Sequence, residues 1–287
     1  MDWLTRMKDA LDYIEDHMEE PVSISDIAKT ACSSTFHFQR MFHMLTGMTV
    51  AEYIRKRRLT LAAQELAVSS TKVLDTALKY GYDSPESFAK AFRKIHGIAP
   101  SQARDPGVKL EAFPRISFHL SLKGDQDMDY RIVEKDGFTV VGKSIQVSLK
   151  DGDNFKQIPA FWAESDTDGT SEALLELGSG GEMLGICTEM QQGQEQFTYI
   201  IAVESNQEAP ASSGFITYEV PAATWAVFPV TGAMPDAMQD IWKRIFQEWF
   251  PATGYEHADA PEFELYSPGD PAAADYRSEV WIPVLKK

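Results

Sequence analysis

The spacing of apolar side chains changes once along the chain, and this change limits the folds that it can adopt. Up to about residue 100, apolar side chains recur every three or four positions, as Met7, Leu11 and Ile14 do, which is the spacing of one helix face. Beyond residue 128, several short segments alternate apolar and polar residues, as strands do. The 287 residues suffice for two domains. The sequence therefore predicts an all-α N-terminal domain followed by an α+β C-terminal domain.

In the helical half, a short helix, a tight turn and a second helix occur twice. The second of these units is the clearer, because Ser84 is a good N-cap and Pro85 falls at the first helical position. Phe42 and Phe92 occupy corresponding places, 50 residues apart. Two helix–turn–helix units joined by a long helix can place two recognition helices in successive major grooves, about 34 Å apart. The pattern predicts a double helix–turn–helix domain over residues 1–105.

The two halves of the chain differ in charge. The net charge of the whole chain is −16, but residues 21–105 hold 12 basic and 7 acidic side chains, whereas residues 106–287 hold 13 basic and 29 acidic ones. A basic module beside an acidic one is typical of a nucleic-acid-binding domain joined to a domain with another task. The acidic half repels phosphate, so we expect double-stranded DNA to bind to residues 1–105.

The candidate DNA contacts lie on the outward faces of the predicted recognition helices and on the long helix between them. Gln and Arg side chains read adenine and guanine edges, and Glu86 can accept a hydrogen bond from cytosine or offset the helix dipole instead. The basic run 55–58 either contacts phosphate or forms a solvated helix face, and His43 either faces DNA or packs. The candidates are Thr35, Phe36, Gln39, Arg40, His43, Arg55, Glu86, Ser87, Lys90 and Arg93.

Short segments of this half form a recognisable set, which includes residues 25–28, 34–42, 53–55, 80–82, 87–88, 91–93 and 97–100. The set resembles the DNA-binding domain of the AraC/XylS family of transcription activators over about residues 5–104. The resemblance implies activation of transcription, RNA polymerase as a partner, and DNA contacts at Gln39, Arg40 and Lys90. Ala89 is small where relatives often carry a polar side chain, so the second helix is expected to be less selective. A monomer with two such units is sufficient to bind DNA, and a homodimer is the alternative that the sequence leaves open.

The acidic half predicts a strand–helix–strand–strand unit that occurs twice and forms an antiparallel sheet with both helices on one face. Asp136-Gly137 is expected to join residues 132–134 and 138–147 in a hairpin. Residues 106–127 are rich in Pro and Gly, so we predict a linker there and a second domain over 128–287. The repeats consist of strand 138–147, helix 154–163 and strands 184–190 and 197–203, then strand 224–230, helix 234–250 and strands 263–266 and 276–282.

Five of the six tryptophans lie in this acidic half. Aromatic walls around a carboxylate bind lipophilic cations through cation–π contacts and a partly desolvated ion pair. This chemistry makes a small-molecule effector the expected ligand, although a strand glutamate can also face solvent and Trp225 can also be core. The candidate effector contacts are Trp162, Trp225, Glu264, Tyr266 and Tyr276, with Glu189 as an alternative anchor.

Segments 132–142, 158–162, 220–228, 263–266 and 276–284 resemble the GyrI-like, Rob-type effector-binding domain. In multidrug-sensing relatives, a glutamate of the second repeat anchors the cation. The resemblance implies that Glu264 has this role and that Tyr276 belongs to the same pocket. Two alternatives stay open: some GyrI-like proteins are hydrolases with a pocket glutamate as general base, and the domain can instead bind a protein without any ligand.

Other function classes lack support in the sequence. It shows no Ser/His/Asp arrangement, metal-ligand spacing or phosphate-binding loop, so we predict no enzyme, no cofactor, no metal and no catalytic residue. Cys32 and Cys187 are too far apart to suggest a disulfide framework, which favours a reducing cytoplasm. The first residues do not resemble a signal peptide, and no apolar run is long enough for a membrane span.

Overall fold

The computed structural model describes residues 3–117, 128–148, 153–188, 196–210, 214–258 and 260–286. The chain divides into two compact units. The first comprises Met1–Phe38 and Met48–Leu120, and the second comprises Gln39–Gly47 and Ser121–Lys287. Part of the predicted linker, residues 118–127, lies outside the described residues, and the boundaries 1–105, 106–127 and 128–287 stay predictions.

The N-terminal part of the chain is helical, as predicted. Ser84 caps the last of its six α-helices by accepting a hydrogen bond from the Ser87 N–H, with Pro85 in the first turn, and Gly97 ends that helix at a φ of 74°, where glycine is favoured. A 3₁₀ turn follows at Pro100–Arg104. The helices are α1 Trp3–Asp16, α2 Ile24–Thr30, α3 Thr35–Thr46, α4 Val50–Val68, α5 Val73–Lys79 and α6 Pro85–His96.

The core of the first unit explains why these helices fold together. Phe88 and Phe92 of α6 are buried against Leu59 and Leu66 of α4. Their spacing of four residues puts both phenyl rings on one face of α6. The opposite face of α6 is left exposed.

The described part of the second unit contains an antiparallel sheet whose strands follow the order β1-β6-β9-β8-β3-β4-β2-β5, with β7 paired to β9. The helices are α7 Asn154–Thr167, α8 Thr170–Leu177, α9 Asp236–Arg244, which continues through a π-helical turn at Ile245–Trp249, and α10 Phe250–Ala252. The strands are β1 Arg131–Lys135, β2 Phe138–Ser148, β3 Met183–Cys187, β4 Gln196–Glu204, β5 Ile216–Val220, β6 Ala223–Thr231, β7 Tyr255–His257, β8 Glu262–Tyr266 and β9 Arg277–Lys286. The predicted α+β class and duplicated unit are confirmed.

The hairpin expected at Asp136-Gly137 is wrong. β1 pairs with β6, Val133 opposite Trp225, while β5 pairs with β2, Val220 opposite Phe138. A two-residue type I′ hairpin needs a positive φ at both central residues, and Gly137 does not have one. A Cβ atom on Gly137 would lie 3.2 Å from the Val220 carbonyl oxygen, so the link after β1 runs close to the link after β5. β1, which precedes the first repeat, therefore pairs with a strand of the second, and β5, which precedes the second repeat, pairs with a strand of the first.

The central strands bury side chains on both faces. On one face, Trp225, Phe263 and Trp281 stack in an apolar core. The other face carries α7 and α9, and Glu264 lies on this side because it alternates with Phe263 along β8. Within the described part of the chain, no helix combines the length and apolar character that crossing a membrane requires.

Candidate functional site

Glu264 lies at the centre of a polar cluster on the helix-bearing face of the sheet. β8 pairs with β3 so that Glu264 lies opposite Gly185. One carboxylate oxygen accepts a hydrogen bond from Trp242 Nε1 of α9 at 2.7 Å, and the other accepts one from the Tyr266 hydroxyl at 2.8 Å. The side chain is 16% exposed. Each oxygen keeps a second lone pair, so the carboxylate is oriented but can still accept from a ligand.

Aromatic side chains from α7 and β4 extend this cluster. Trp162 of α7 donates a hydrogen bond from Nε1 to the Tyr199 hydroxyl at 2.8 Å, and its ring meets that of Tyr266 edge-on with centroids 5.1 Å apart. The absence of a side chain at Gly185 makes room for Tyr199, because a Cβ atom there would collide with the hydroxyl. The cluster of Trp162, Tyr199, Trp242, Glu264 and Tyr266 is called the Glu264 site below.

The two phenols of the Glu264 site are neutral: Tyr266 donates a hydrogen bond to Glu264, and Tyr199 accepts one from Trp162. Burial raises the pKa of Tyr199 well above its ordinary value, and the nearby Glu264 charge raises it further. Burial and Glu264 together raise the pKa of Tyr266 in the same way. Glu264 is consequently close to aromatic rings and neutral hydroxyl and indole groups, and also to the Arg40 guanidinium, whose Nη2 lies 3.5 Å from the carboxylate. Such an arrangement can bind a cation that offers an apolar surface.

The structure separates the predicted effector residues into three groups. Trp162, Glu264 and Tyr266 come together in the Glu264 site. Tyr276 is buried nearby, with its hydroxyl donating to the Ser267 carbonyl at 2.8 Å. Trp225 is 0% exposed and packs on the opposite face of the sheet, so the structure does not bring it to this cluster. The alternative anchor, Glu189, lies outside the described residues.

Sequence reasoning missed two members of the Glu264 site, Tyr199 and Trp242. Trp242 lies on α9 within the predicted helix 234–250 and is buried, and its indole N–H orients Glu264. Tyr199 carried no signal that separates it from other buried strand residues. Sequence reasoning also missed an acidic residue. Glu262 lies two residues before Glu264 on β8, so the two side chains share one face of the sheet. That period-two spacing was readable in the sequence.

The candidate DNA contacts on α6 form an exposed surface of the first unit. Glu86, Ser87, Lys90 and Arg93 are all exposed, and positions 86, 90 and 93 repeat at helical spacing. Ser87 also donates a hydrogen bond from its hydroxyl to the Ser84 carbonyl at 2.9 Å. We call Glu86, Ser87, Lys90 and Arg93 the α6 face.

The basic run on α4 divides between structural and exposed side chains. Arg57 donates to Glu15 from Nε and Nη2, the latter at 2.7 Å, and to the Phe113 carbonyl. Arg58 donates to the Met18 carbonyl at 2.8 Å. These two arginines therefore hold the helical unit together, whereas Arg55 is exposed.

The candidate contacts on α3 are less exposed than those on α6. Gln39 is buried, Thr35 and His43 are half-buried, and the side chain of Phe36 lies outside the described residues. The Arg40 guanidinium lies 3.7 Å from the centroid of the Trp242 ring and donates to Glu262 at 2.7 Å. Arg40 belongs to the second unit, as these side chains do, and its predicted role at DNA stays a prediction.

These features define a class: a protein with a double helix–turn–helix domain and an α+β domain that carries an aromatic site around a carboxylate. Residues 131–284 match the family model described as integron-associated effector binding protein, and residues 27–105 match a helix-turn-helix domain model. The chain belongs to the integron-associated effector binding protein family, joined here to an AraC-type DNA-binding domain.

The curated relatives match the helical half. The Tn10 TetD protein of Escherichia coli is 42% identical over 100 residues, covering 35% of this chain and 72% of that protein. The transcriptional activator AarP of Providencia stuartii is 42% identical over 98 residues, covering 34% and 73%. The right origin-binding protein of Escherichia coli is 38% identical over 104 residues, covering 36% of each chain. These relatives place the chain among AraC-type transcriptional regulators.

Solved structures match each half. The structure of SAV2435 bound to tetraphenylphosphonium is 24% identical, with a TM-score of 0.49, and covers 55% of this chain and 94% of that one. An AraC-type regulator from Chromobacterium violaceum is 28% identical, with a TM-score of 0.34, and covers 36% and 96%.

Proposed function

We propose that the chain is a one-component transcription activator whose C-terminal domain binds a small aromatic cation at the Glu264 site. The observation that carries this proposal is the Glu264 carboxylate itself. It is only 16% exposed, and it is oriented by Trp242 and Tyr266. The Trp162 ring meets that of Tyr266 edge-on and donates a hydrogen bond to Tyr199. A carboxylate in such surroundings favours a positively charged ligand with an apolar body.

The Glu264 carboxylate favours a cation over a neutral aromatic compound. A partly desolvated carboxylate attracts a cation more strongly than an exposed one does, because water screens the pair less. Each aromatic face that a desolvated cation meets adds up to about 2 kcal/mol. A neutral ligand of the same shape gains the apolar contacts but forms no ion pair with Glu264.

Calorimetric titration of the full chain tests the effector part of the proposal. The probes are the cations 2-naphthamidine and 2-naphthyltrimethylammonium, with 2-naphthamide as a neutral compound of nearly the same shape as the amidine. We expect at least one cation to bind more tightly than 2-naphthamide. Glu264→Gln should weaken that binding by about tenfold or more, since a charge-assisted interaction is lost.

Glu176→Gln is the matched control, because it removes a carboxylate from the exposed surface of α8. Equal affinity for the cations and 2-naphthamide, unchanged by Glu264→Gln, would refute the cation. The absence of binding by all three probes would refute the effector site and favour a protein partner for this domain.

The α6 face supports the DNA-binding part of the proposal. Its exposed Lys90 and Arg93 carry the charge that phosphate contacts need. Lys90→Ala should weaken DNA binding and reduce the slope of log K against log salt by about 1 if Lys90 contacts a phosphate. Lys109→Ala is the control, since this lysine is 85% exposed and lies outside the recognition helices. Equal effects of the two changes would remove the α6 face from the DNA contact.

Transcription in vitro with purified RNA polymerase tests the proposed activation. Transcript yield from a promoter that the protein binds should rise when the full chain is added. A fall in yield, with DNA binding intact, would make the protein a repressor and overturn the activator part alone.

A further inference from the structure

A second carboxylate adjoins the Glu264 site. Glu262 precedes Glu264 by two residues on β8 and shares its face. It is 2% exposed, whereas burying an ionised carboxylate is costly unless charged or hydrogen-bonding groups compensate it. One of its oxygens lies 3.2 Å from His257 Nε2, and the other accepts a hydrogen bond from Arg40 Nη1 at 2.7 Å. The site thus holds two acidic groups rather than one.

The Arg40 guanidinium uses both its face and its edge in this site. The face lies 3.7 Å from the centroid of the Trp242 ring. Along the edge, Nη1 donates to Glu262 and approaches the Cys187 sulfur at 3.5 Å, and Nη2 lies 3.5 Å from Glu264. The side chain is 11% exposed. Burial alone would lower the pKa of Arg40, but the neighbouring Glu262, Cys187 and Glu264 raise it, so the group is a buried cation.

We propose that Glu262 and Glu264 together form a site for a planar cation with N–H donors, a guanidinium or amidinium, and that Arg40 fills this site when no ligand is bound. This inference rests on the proposed effector site and deepens it. An external aromatic amidine or guanidine binds by displacing Arg40. The displacement releases the segment Gln39–Gly47, which carries the predicted DNA contacts Gln39, Arg40 and His43.

The depth of Glu262 argues for N–H donors in the ligand. When Arg40 leaves, Glu262 loses a charge-assisted hydrogen bond, and a quaternary ammonium group has no N–H to replace it. An amidinium has a planar face for Trp242 and two NH2 groups that can donate to the two carboxylates, as the Arg40 guanidinium has. The two acidic side chains therefore select the type of cation, while the aromatic rings accept its apolar body.

The test compares ligand binding to variants of the full chain, because Arg40 is itself a predicted DNA contact and DNA binding alone would confuse the two roles. Arg40→Met removes the charge but keeps an extended side chain. Without the internal competitor, 2-naphthamidine should bind on the order of tenfold or more tightly than it does to the unmodified chain. Arg40→Lys keeps a cation without a planar face and should give an intermediate affinity. Lys109→Met, which removes an 85% exposed cation outside the recognition helices, should change nothing.

The second arm uses the two cationic probes. The unmodified chain should bind 2-naphthamidine about tenfold or more tightly than 2-naphthyltrimethylammonium, and Glu262→Gln should reduce this ratio. Thermal unfolding of each variant shows whether it is folded, and Glu262→Asp, which keeps the charge, replaces Glu262→Gln if that variant does not fold. In Glu262→Asp, 2-naphthamidine should still bind more tightly than 2-naphthyltrimethylammonium. The ratio of the two affinities should be smaller than in the unmodified chain, because the shorter side chain moves the carboxylate away from the ligand.

The outcomes separate this inference from the proposed function. If Arg40→Met binds 2-naphthamidine no more tightly than the unmodified chain, while Glu264→Gln still weakens binding, Arg40 is not an internal competitor and only this inference fails. Equal affinity for the two cations would overturn the assignment of Glu262. If neither cation binds to the unmodified chain or to Arg40→Met, the proposed effector site fails, and this inference fails with it.

Discussion

Gly185 allows Tyr199 and Trp162 to meet beside Glu264, so a methyl group at this position tests the packing of the site. In Gly185→Ala the added Cβ atom would collide with the Tyr199 hydroxyl, and it would lie 3.1 Å from Tyr199 Cζ and 3.5 Å from Trp162 Cζ2. Tyr199 is 1% exposed and cannot turn into solvent. We therefore expect the ring to shift within the core and its hydrogen bond with Trp162 to break.

The magnitude follows from three contributions. Adding a methyl group to a packed core costs about 1–3 kcal/mol, and losing a hydrogen bond costs about 0.5–1.5 kcal/mol. Alanine offsets part of this, because glycine within a strand is about 0.5–1 kcal/mol less favourable than alanine. The free energy of unfolding should therefore fall by about 1–3 kcal/mol. The affinity for 2-naphthamidine should fall as well, since Tyr199 and Trp162 are displaced.

Denaturant unfolding of the full chain, followed by tryptophan fluorescence, measures this change, because five of the six tryptophans lie in the acidic half. Gly180→Ala is the control, since its Cβ atom would meet only the end of the Glu182 side chain, at 3.9 Å. Tyr199→Phe removes the colliding oxygen, so Gly185→Ala should cost less in that background. If Gly185→Ala is as stable as the unmodified chain, or costs the same free energy in both backgrounds, the Cβ atom does not collide with the Tyr199 hydroxyl.

Two further predictions concern the helical unit. Burial lowers the pKa of His96, and its Nδ1 accepts a hydrogen bond from the Glu111 N–H. Because the unfolded chain then binds a proton more readily than the folded one, the contribution of His96 to stability should be constant above the unfolded-state pKa of about 6.5 and fall as the pH drops below it. His96→Gln should flatten this pH dependence in thermal unfolding, and an unchanged slope would contradict the assignment. Arg57→Met should lower the free energy of unfolding by about 3 kcal/mol, because it leaves the partly buried Glu15 carboxylate without its cation. Lys109→Met, at a side chain that is 85% exposed, should change it by less than about 0.5 kcal/mol, and similar effects of both changes in urea unfolding would show that Arg57 is not structural.

Much of the fold could be predicted because it depends on local patterns. The spacing of apolar residues indicated helices before residue 105 and strands after residue 128, and both classes are confirmed. Ser84 and Pro85 mark the start of α6 as expected, because caps act within one helical turn. Glu264 was recognisable as a carboxylate among aromatic residues, although its surroundings were only partly so.

The strand pairing could not be predicted from local patterns. Asp136-Gly137 has the composition of a hairpin turn, yet β1 crosses to β6 and β5 crosses to β2. Each repeat pairs with one such strand whether β1 and β5 cross over or form hairpins with their neighbours in sequence. The local residues therefore do not distinguish the two arrangements. The same limit applies to Trp225: alternation predicts that it is buried, but only the assembled sheet decides that its face is opposite to that of Glu264.

The amino-acid sequence by itself determined the class of each domain, the two helix–turn–helix units and the acidic, aromatic character of the second half. Tertiary structure alone decided which of these residues meet. Arg40 and Glu262 are 222 residues apart, and no periodicity reports a contact across that distance. Local spacing specifies the face on which a side chain lies, whereas the partner that it meets depends on how distant elements pack. For this reason the sequence indicated a carboxylate site, and only the structure brought a second acid and an arginine into it.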